Sequence, residues 1–259
     1  MATRITLTQR LRAIRRMVLM IIVLAWYLCG LLLKSALFGE TEERGFRYRR
    51  KYTGVAMRIL GVRLTMQGEV HNRPALYVSN HRSLLDPVIQ LRFIDAYIVS
   101  KAEVSAYPLI GRGAKETGVV FVHRESKESR SASREAIKEL LTSGKSVLIY
   151  PEGTTSNLET TLPFRSGAFE MAAEVHAPVI PVVIQYGNPG HHWQDGPMLP
   201  FFMRKFSAKH IDANLSIGTP VPEGNTNEML AASREWIGEE IGRTHPPFPL
   251  SSKKREYRY

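Results

Sequence analysis

From Met17 to Leu33 the chain reads MVLMIIVLAWYLCGLLL, seventeen residues without a charge, directly after Arg10, Arg12, Arg15 and Arg16. So apolar a run restricts this part of the chain to a membrane helix, a buried helix or a signal peptide. As a helix it reaches roughly 25 Å, a little short of a hydrocarbon core of about 30 Å, although Lys34 can snorkel and Ser35 to Phe38 extend it. A signal peptide needs a small-residue cleavage site soon after the run, and Lys34 stands there instead. A membrane-associated helix over 17–38 is therefore expected, spanning or re-entrant. The arginines before it favour a cytoplasmic amino terminus, and a full span would then carry the rest of the chain to the far side.

Residues 42–62 follow as a basic stretch in which Phe46, Tyr48, Tyr52, Val55, Ala56, Ile59 and Leu60 interleave with Arg44, Arg47, Arg49, Arg50, Lys51 and Arg58. This pattern suits an amphipathic helix lying on an anionic membrane surface; the alternative is an ordinary domain helix with a solvated face. At the other end, residues 246–259 combine Pro246, Pro247 and Pro249 with Lys253, Lys254, Arg255 and Arg258 and read as a solvated basic tail.

Between them, short apolar stretches alternate with helical ones. Strands are expected at 75–79, 96–100, 118–123, 146–150, 179–186 and 213–217, and helices at 87–93, 131–141, 167–175 and 227–241. That alternation predicts an α/β fold, a mixed sheet flanked by helices, preceded by the membrane-associated helical segment. The domain division is 1–63 for that segment, 64–245 for one domain, and 246–259 for the tail.

The chemistry concentrates where the strand Ala75-Leu76-Tyr77-Val78-Ser79 ends. There Asn80-His81-Arg82-Ser83-Leu84-Leu85-Asp86-Pro87 sets an imidazole five positions from a carboxylate. Histidine, with an ordinary pKa near 6.5, can take a proton from a hydroxyl, and a carboxylate can fix its tautomer and stabilise the imidazolium that forms. In a chain with eight histidines the spacing alone is weak evidence. Its place at the carboxyl end of a strand, where open α/β sheets bind ligands, strengthens it.

Three more blocks follow in order: Gly118-Val119-Val120-Phe121-Val122-His123-Arg124, Tyr150-Pro151-Glu152-Gly153-Thr154-Thr155-Ser156, and Ala177-Pro178-Val179-Ile180-Pro181-Val182. The four together resemble the glycerolipid acyltransferase family typified by 1-acylglycerol-3-phosphate acyltransferase, over roughly residues 64–220. The resemblance implies a membrane-associated α/β enzyme that moves a fatty acyl group from acyl-carrier protein or acyl-CoA onto the sn-2 hydroxyl of lysophosphatidate. It makes His81 the general base and Asp86 its orienting partner, makes Arg124 the residue that holds the acceptor phosphate, and implies a lysine about as far downstream as Lys101. Glu152, Gly153 and Thr154 become substrate contacts at a strand end, with the Gly153 amide and Lys101 as candidate donors to the tetrahedral oxyanion.

One departure bears on the acceptor. Phosphatidate-forming members commonly carry Arg after Glu-Gly-Thr, and this chain has Thr155. Arg165 could supply the charge from nearby, or the acceptor could be another lysolipid, such as lyso-ornithine lipid or a lysophospholipid.

The chain contains no Gly-x-Ser-x-Gly elbow, and its one cysteine, Cys29, lies inside the apolar run, so direct attack by the acceptor hydroxyl suits it better than an acyl-enzyme. No cofactor or metal is expected beyond the acyl donor; His191, His192 and Asp195 could be drawn as ligands, but they follow the loop Gly187-Asn188-Pro189-Gly190. The net charge of +11 favours anionic partners. Its clustering beside the apolar run points to membrane lipid rather than nucleic acid. The expected location is the cytoplasmic side of the cell inner membrane. A protein of another class, a membrane-bound lipid-binding scaffold without turnover, would keep the fold and dispense with His81.

Overall fold

The computed structural model describes residues 6–101, 108–122, 127–158, 160–192, 198–243 and 255–258. Two helices come first, α1 (Leu7–Phe38) and α2 (Glu42–Leu60), followed by β1 (Val62–Gln67), β2 (Leu76–Ser79), α3 (Asp86–Gln90) and β3 (Tyr97–Lys101). Next are α4 (Pro108–Glu116), β4 (Val119–Val122), α5 (Lys127–Thr142), β5 (Val147–Ile149), α6 (Gly167–Glu174) and β6 (Val179–Tyr186). A 3-10 turn (Pro189–His191), α7 (Met198–Phe206), β7 (Ile211–Ile217), α8 (Thr226–Arg243) and β8 (Arg255–Arg258) complete the described chain.

The strands form one mixed sheet in the order β4-β3-β5-β2-β6-β7-β1-β8. β4, β3, β5, β2 and β6 run parallel, as do β1 and β7, while β6 pairs antiparallel with β7 and β1 with β8. Period-two alternation sorts the side chains into two cores. Tyr77, Leu148, Ile180, Val182 and Ile184 face α1, α2, α3 and α7, where Ala13, Met57, Leu60, Ile89 and Phe206 close over them. Leu76, Val78, Val147, Val179 and Val183 face the opposite side against Ile137, Phe169, Ala172, Met229 and Ile237 of α5, α6 and α8. The result is three layers, with β2 in the middle of the sheet.

Four segments differ from their reading in the sequence. α1 starts at Leu7, ten residues before the apolar run, because Thr6 and Gln9 form a capping box and the arginines join the helix. α2 forms as expected but buries one face in the domain: Phe46, Ala56, Met57 and Leu60 pack inward, and the buried Arg49 guanidinium donates to the carbonyls of Ala96 (2.8 Å), Thr117 (2.7 Å) and Ile94 (3.3 Å). It is thus a domain helix in large part, not only a helix resting on a surface. Gly61, at φ +69°, then turns the chain directly into β1. β1 has no continuous apolar run in the sequence, because Arg63, Thr65 and Gln67 interrupt its inward-facing Val62, Leu64 and Met66. Residues 255–258, read as part of a solvated tail, instead lie along β1 as an edge strand, with Leu64 opposite Tyr257.

Candidate active site

The loop between β2 and α3 coils around one carboxylate. Asp86 is fully buried, and its Oδ2 accepts the backbone N–H groups of Arg82 (2.6 Å) and Ser83 (2.8 Å) and lies 2.7 Å from Nδ1 of His81. This accounts for the spacing: the residues between the pair supply the two amides that hold the carboxylate under the ring. A carboxylate only accepts, so Nδ1 carries the ring proton and the Nε2 lone pair is left for a substrate proton. The side chain of His81 is 17% exposed, enough to meet a ligand.

Around the pair stands a buried polar frame that the sequence reading had not assigned. Tyr186, at the end of β6, donates its hydroxyl to the other oxygen of Asp86 at 2.7 Å. Tyr150 stacks on the His81 ring, centroids 4.0 Å apart and planes 13° from parallel. Its hydroxyl donates to Gln90 (2.7 Å), whose amide donates in turn to Ser79 (2.7 Å). Asn80 grips β6 by pairing with both the N–H and the carbonyl of Ile184, each at 2.9 Å. Burial, and then the negative charge of Asp86, push both tyrosine hydroxyls well above their ordinary pKa, so both remain neutral donors. The available signal was polar residues, Ser79 and Asn80, at the end of an otherwise apolar strand.

Glu152 was expected to touch substrate. In the fold it is nearly inaccessible, and its two oxygens accept the N–H groups of His81 (3.1 Å) and Leu162 (3.0 Å). Burial raises its pKa while these amides, Arg82 and His81 oppose the shift. Its geometry is that of a brace under the His81 backbone. The Gly153 amide, expected as a free oxyanion donor, is already committed to the carbonyl of Tyr150 at 3.0 Å. Gly153 is nevertheless required: its φ is +73°, and a Cβ there would lie 2.7 Å from the guanidinium carbon of Arg165. The structure thus brings the exposed Arg165 against the Glu152-Gly153 turn, with Thr154 exposed beside it.

Arg82, within the motif, is 2% exposed and donates to the carbonyls of Ser156 (3.1 Å) and Thr160 (3.2 Å), tying the loop after β5 to the dyad. Lys101 is the last residue of β3, opposite Val122 of β4, two strands from β2 and at the same sheet edge. Its side chain, and Arg124 altogether, lie outside the described residues. The Pro178–Val182 block forms the start of β6, buried beside β2.

An apolar cavity of about 210 Å³ lies between α1, α2, α3 and α4. Leu24 and Leu28 of α1, Tyr48 and Tyr52 of α2, and Pro87 and Val88 of α3 are among its lining, so it begins one residue beyond Asp86.

A buried His-Asp pair at a strand end, with a fixed tautomer, is equipment for general-base chemistry on a hydroxyl. Residues 61–185 match the family model described as Acyltransferase. Among relatives, a lyso-ornithine lipid O-acyltransferase of Pseudomonas aeruginosa is 37% identical over 48% of this chain and 48% of its own. The 1-acyl-sn-glycerol-3-phosphate acyltransferase BAT2, chloroplastic, of Brassica napus is 37% identical over 65% of this chain and 46% of its own. The chain therefore spans about half the length of the curated relatives it matches. In fold it is similar to the 1-acyl-sn-glycerophosphate (LPA) acyltransferase PlsC of Thermotoga maritima, with a TM-score of 0.70 and 21% identity over 90% of this chain and 97% of that one.

Proposed function

We propose that the protein is a membrane-surface O-acyltransferase that moves a fatty acyl group from acyl-carrier protein or acyl-CoA onto a lysolipid hydroxyl. Lysophosphatidate, giving phosphatidate, is the leading acceptor, and another lysolipid such as lyso-ornithine lipid is the alternative. The single observation that carries the reading is the 2.7 Å contact between His81 Nδ1 and the buried Asp86, which leaves Nε2 basic and free. Nε2 removes the acceptor's hydroxyl proton as the oxygen attacks the thioester carbonyl. The imidazolium is stabilised by Asp86 below and by the Tyr150 ring face. When the tetrahedral intermediate collapses, the C–S bond breaks and the imidazolium returns its proton to the departing thiolate. No cofactor enters this scheme. Arg124, Lys101, Thr154 and Arg165 are the proposed contacts to the acceptor and the oxyanion, and Glu152 and Gly153 set the turn that presents them. The apolar cavity beside Pro87 is the proposed seat of the acyl chain.

How α1 docks supports a membrane-surface setting. Arg12 donates to Ser207, and Arg16 to Phe206, Ala208 and Lys209, all main-chain carbonyls, at 2.5–3.0 Å. Near the other end, Ser35 donates to Glu116 of α4 at 2.7 Å. The anchors are 23 residues apart, about 34 Å of helix. A helix tied to the domain along that length lies in the membrane plane rather than through it. Its outward face offers Leu11, Val18, Ile22, Trp26, Leu33 and Phe38 to lipid. This arrangement keeps the dyad and the acyl donors on one side, in our reading the cytoplasmic face of the cell inner membrane.

The test is transfer of labelled acyl groups by the purified protein to lysophosphatidate and lyso-ornithine lipid, with His81→Ala as control. Transfer that depends on His81 is expected. Cellular function that survives in His81→Ala would favour a lipid-binding scaffold instead.

A further inference from the structure

Beside the dyad lies a second polar cluster that this chemistry leaves unused. β6 ends at Tyr186, and the turn after it brings His191 and His192 back against the tyrosine ring, with centroids 6.3 and 6.2 Å away. Nδ1 of each histidine is buried without a hydrogen-bond partner among the described residues, and His191 is only 6% exposed. Close to the end of α7, Lys205 is 7% exposed and makes no ion pair among the described residues, its ammonium lying 5.1 Å from the centre of the Phe201 ring.

The neighbouring acids are already engaged. Asp86 is held by the dyad and Tyr186, and Asp212 by both arms of Arg63 at 2.5 and 2.7 Å. Arg82 and Arg204 add further positive charge around the cluster. Burial first, and then the charge of Lys205 on His191 and of Arg82 on His192, hold the histidines near a pKa of about 4; burial and Arg204 bring Lys205 down to about 8. A buried ammonium without a counter-ion is costly, and so is a buried ring nitrogen without a partner. An oxyanion answers all three groups at once, whereas a metal ion would be repelled by Lys205.

The cluster also stands in the right place. α7 is bound on one side to α1, the helix with the lipid-facing side chains, through the arginine contacts at its carboxyl end. At the cluster's inner side His192 packs against Tyr186, whose hydroxyl donates to Asp86. We propose that Lys205, His191 and His192 seat the anionic head group of the lysolipid acceptor, a phosphate or a carboxylate, at a position outside all four sequence blocks. The inference rests on the acyltransfer reading. It also explains how a chain with Thr155 in place of a cation can hold an anionic acceptor.

The test uses the full chain in micelles with three acceptors: lysophosphatidate, lyso-ornithine lipid and an uncharged monoacylglycerol. Lys205→Met and His192→Gln are expected to raise KM for a charged acceptor about tenfold or more, with kcat and the monoacylglycerol reaction little changed. The charged acceptor that shows the effect identifies the head group. An unchanged KM for both charged acceptors overturns the proposal, whereas a wild-type protein that acylates none of the three overturns the acyltransfer reading instead. Wild-type protein labelled with 15N-histidine and titrated with glycerol 3-phosphate or ornithine supplies an independent reading should a variant fail to fold. The His191 and His192 ring resonances should move with one of them, and resonances that stay still with both refute the seat.

Discussion

Asp86 receives four hydrogen-bond contacts in a fully buried site, and its environment dictates what each substitution nearby should do. Tyr186→Phe removes only the hydroxyl that pairs with Oδ1. A lost hydrogen bond to a buried charge costs roughly 1.5–3 kcal/mol, so thermal melting should show a destabilised but folded protein. Its kcat should fall as the His81 ring loses part of its support. His81→Ala should reduce kcat by roughly two to four orders of magnitude and, because it also removes a hydrogen bond to the buried Asp86, should lower the melting temperature much as Tyr186→Phe does. The buried histidines set a pH dependence. His191 and His192 titrate near 4 in the folded protein against 6.5 ordinarily, so between those values the unfolded chain binds more protons. Stability must then fall as pH drops from about 6.5 towards 4. Denaturant midpoints across that range should show the slope, and a His191→Gln/His192→Gln variant should flatten it.

Among the elements, α2 carries a constraint invisible in its own pattern. A Cβ on Gly45 would lie 1.8 Å from the main-chain oxygen of Glu116, so α2 and the end of α4 touch backbone to backbone. Gly45→Val should force them apart and lower the melting temperature, a loss of roughly 1–3 kcal/mol; an unchanged melting curve would show that the contact is loose. These elements were legible because β2 and β6 are continuous apolar runs and α8 has one apolar face: Leu76 to Ser79, Val179 to Tyr186 and Thr226 to Arg243 emerged close to their expected limits. β1, α4 and α7 were not. β1 alternates with charged and polar residues, and α4 and α7 are short segments whose burial depends on α1 and α2 packing across them. The dyad could be read because its spacing and strand context are local. The Tyr186 and Tyr150 contacts could not, since β6 and β5 reach Asp86 and His81 only once the sheet is ordered.

For the molecule as a whole, α1 joins two properties that usually conflict: it is long and apolar enough to cross a bilayer, with a mean hydropathy of 2.3 in its most apolar window, yet it is tied to the domain at both ends. With Cys29 replaced by serine, Thr8→Cys and Glu40→Cys should both be labelled by an impermeant thiol reagent from the same side of sealed membrane vesicles. Labelling from opposite sides would establish a spanning helix. Local chemistry alone determined that the chain has an apolar amino-terminal helix, an α/β body and a base-carboxylate pair at a strand end, because hydrophobic period and short-range spacing act over a few residues. Only the tertiary structure decided that α1 lies along the domain, that Glu152 accepts the His81 and Leu162 amides, and that two histidines pack against Tyr186 beside the dyad. Those outcomes depend on groups up to 195 positions apart in the chain, whose meeting is set by strand order and helix packing rather than by any local preference.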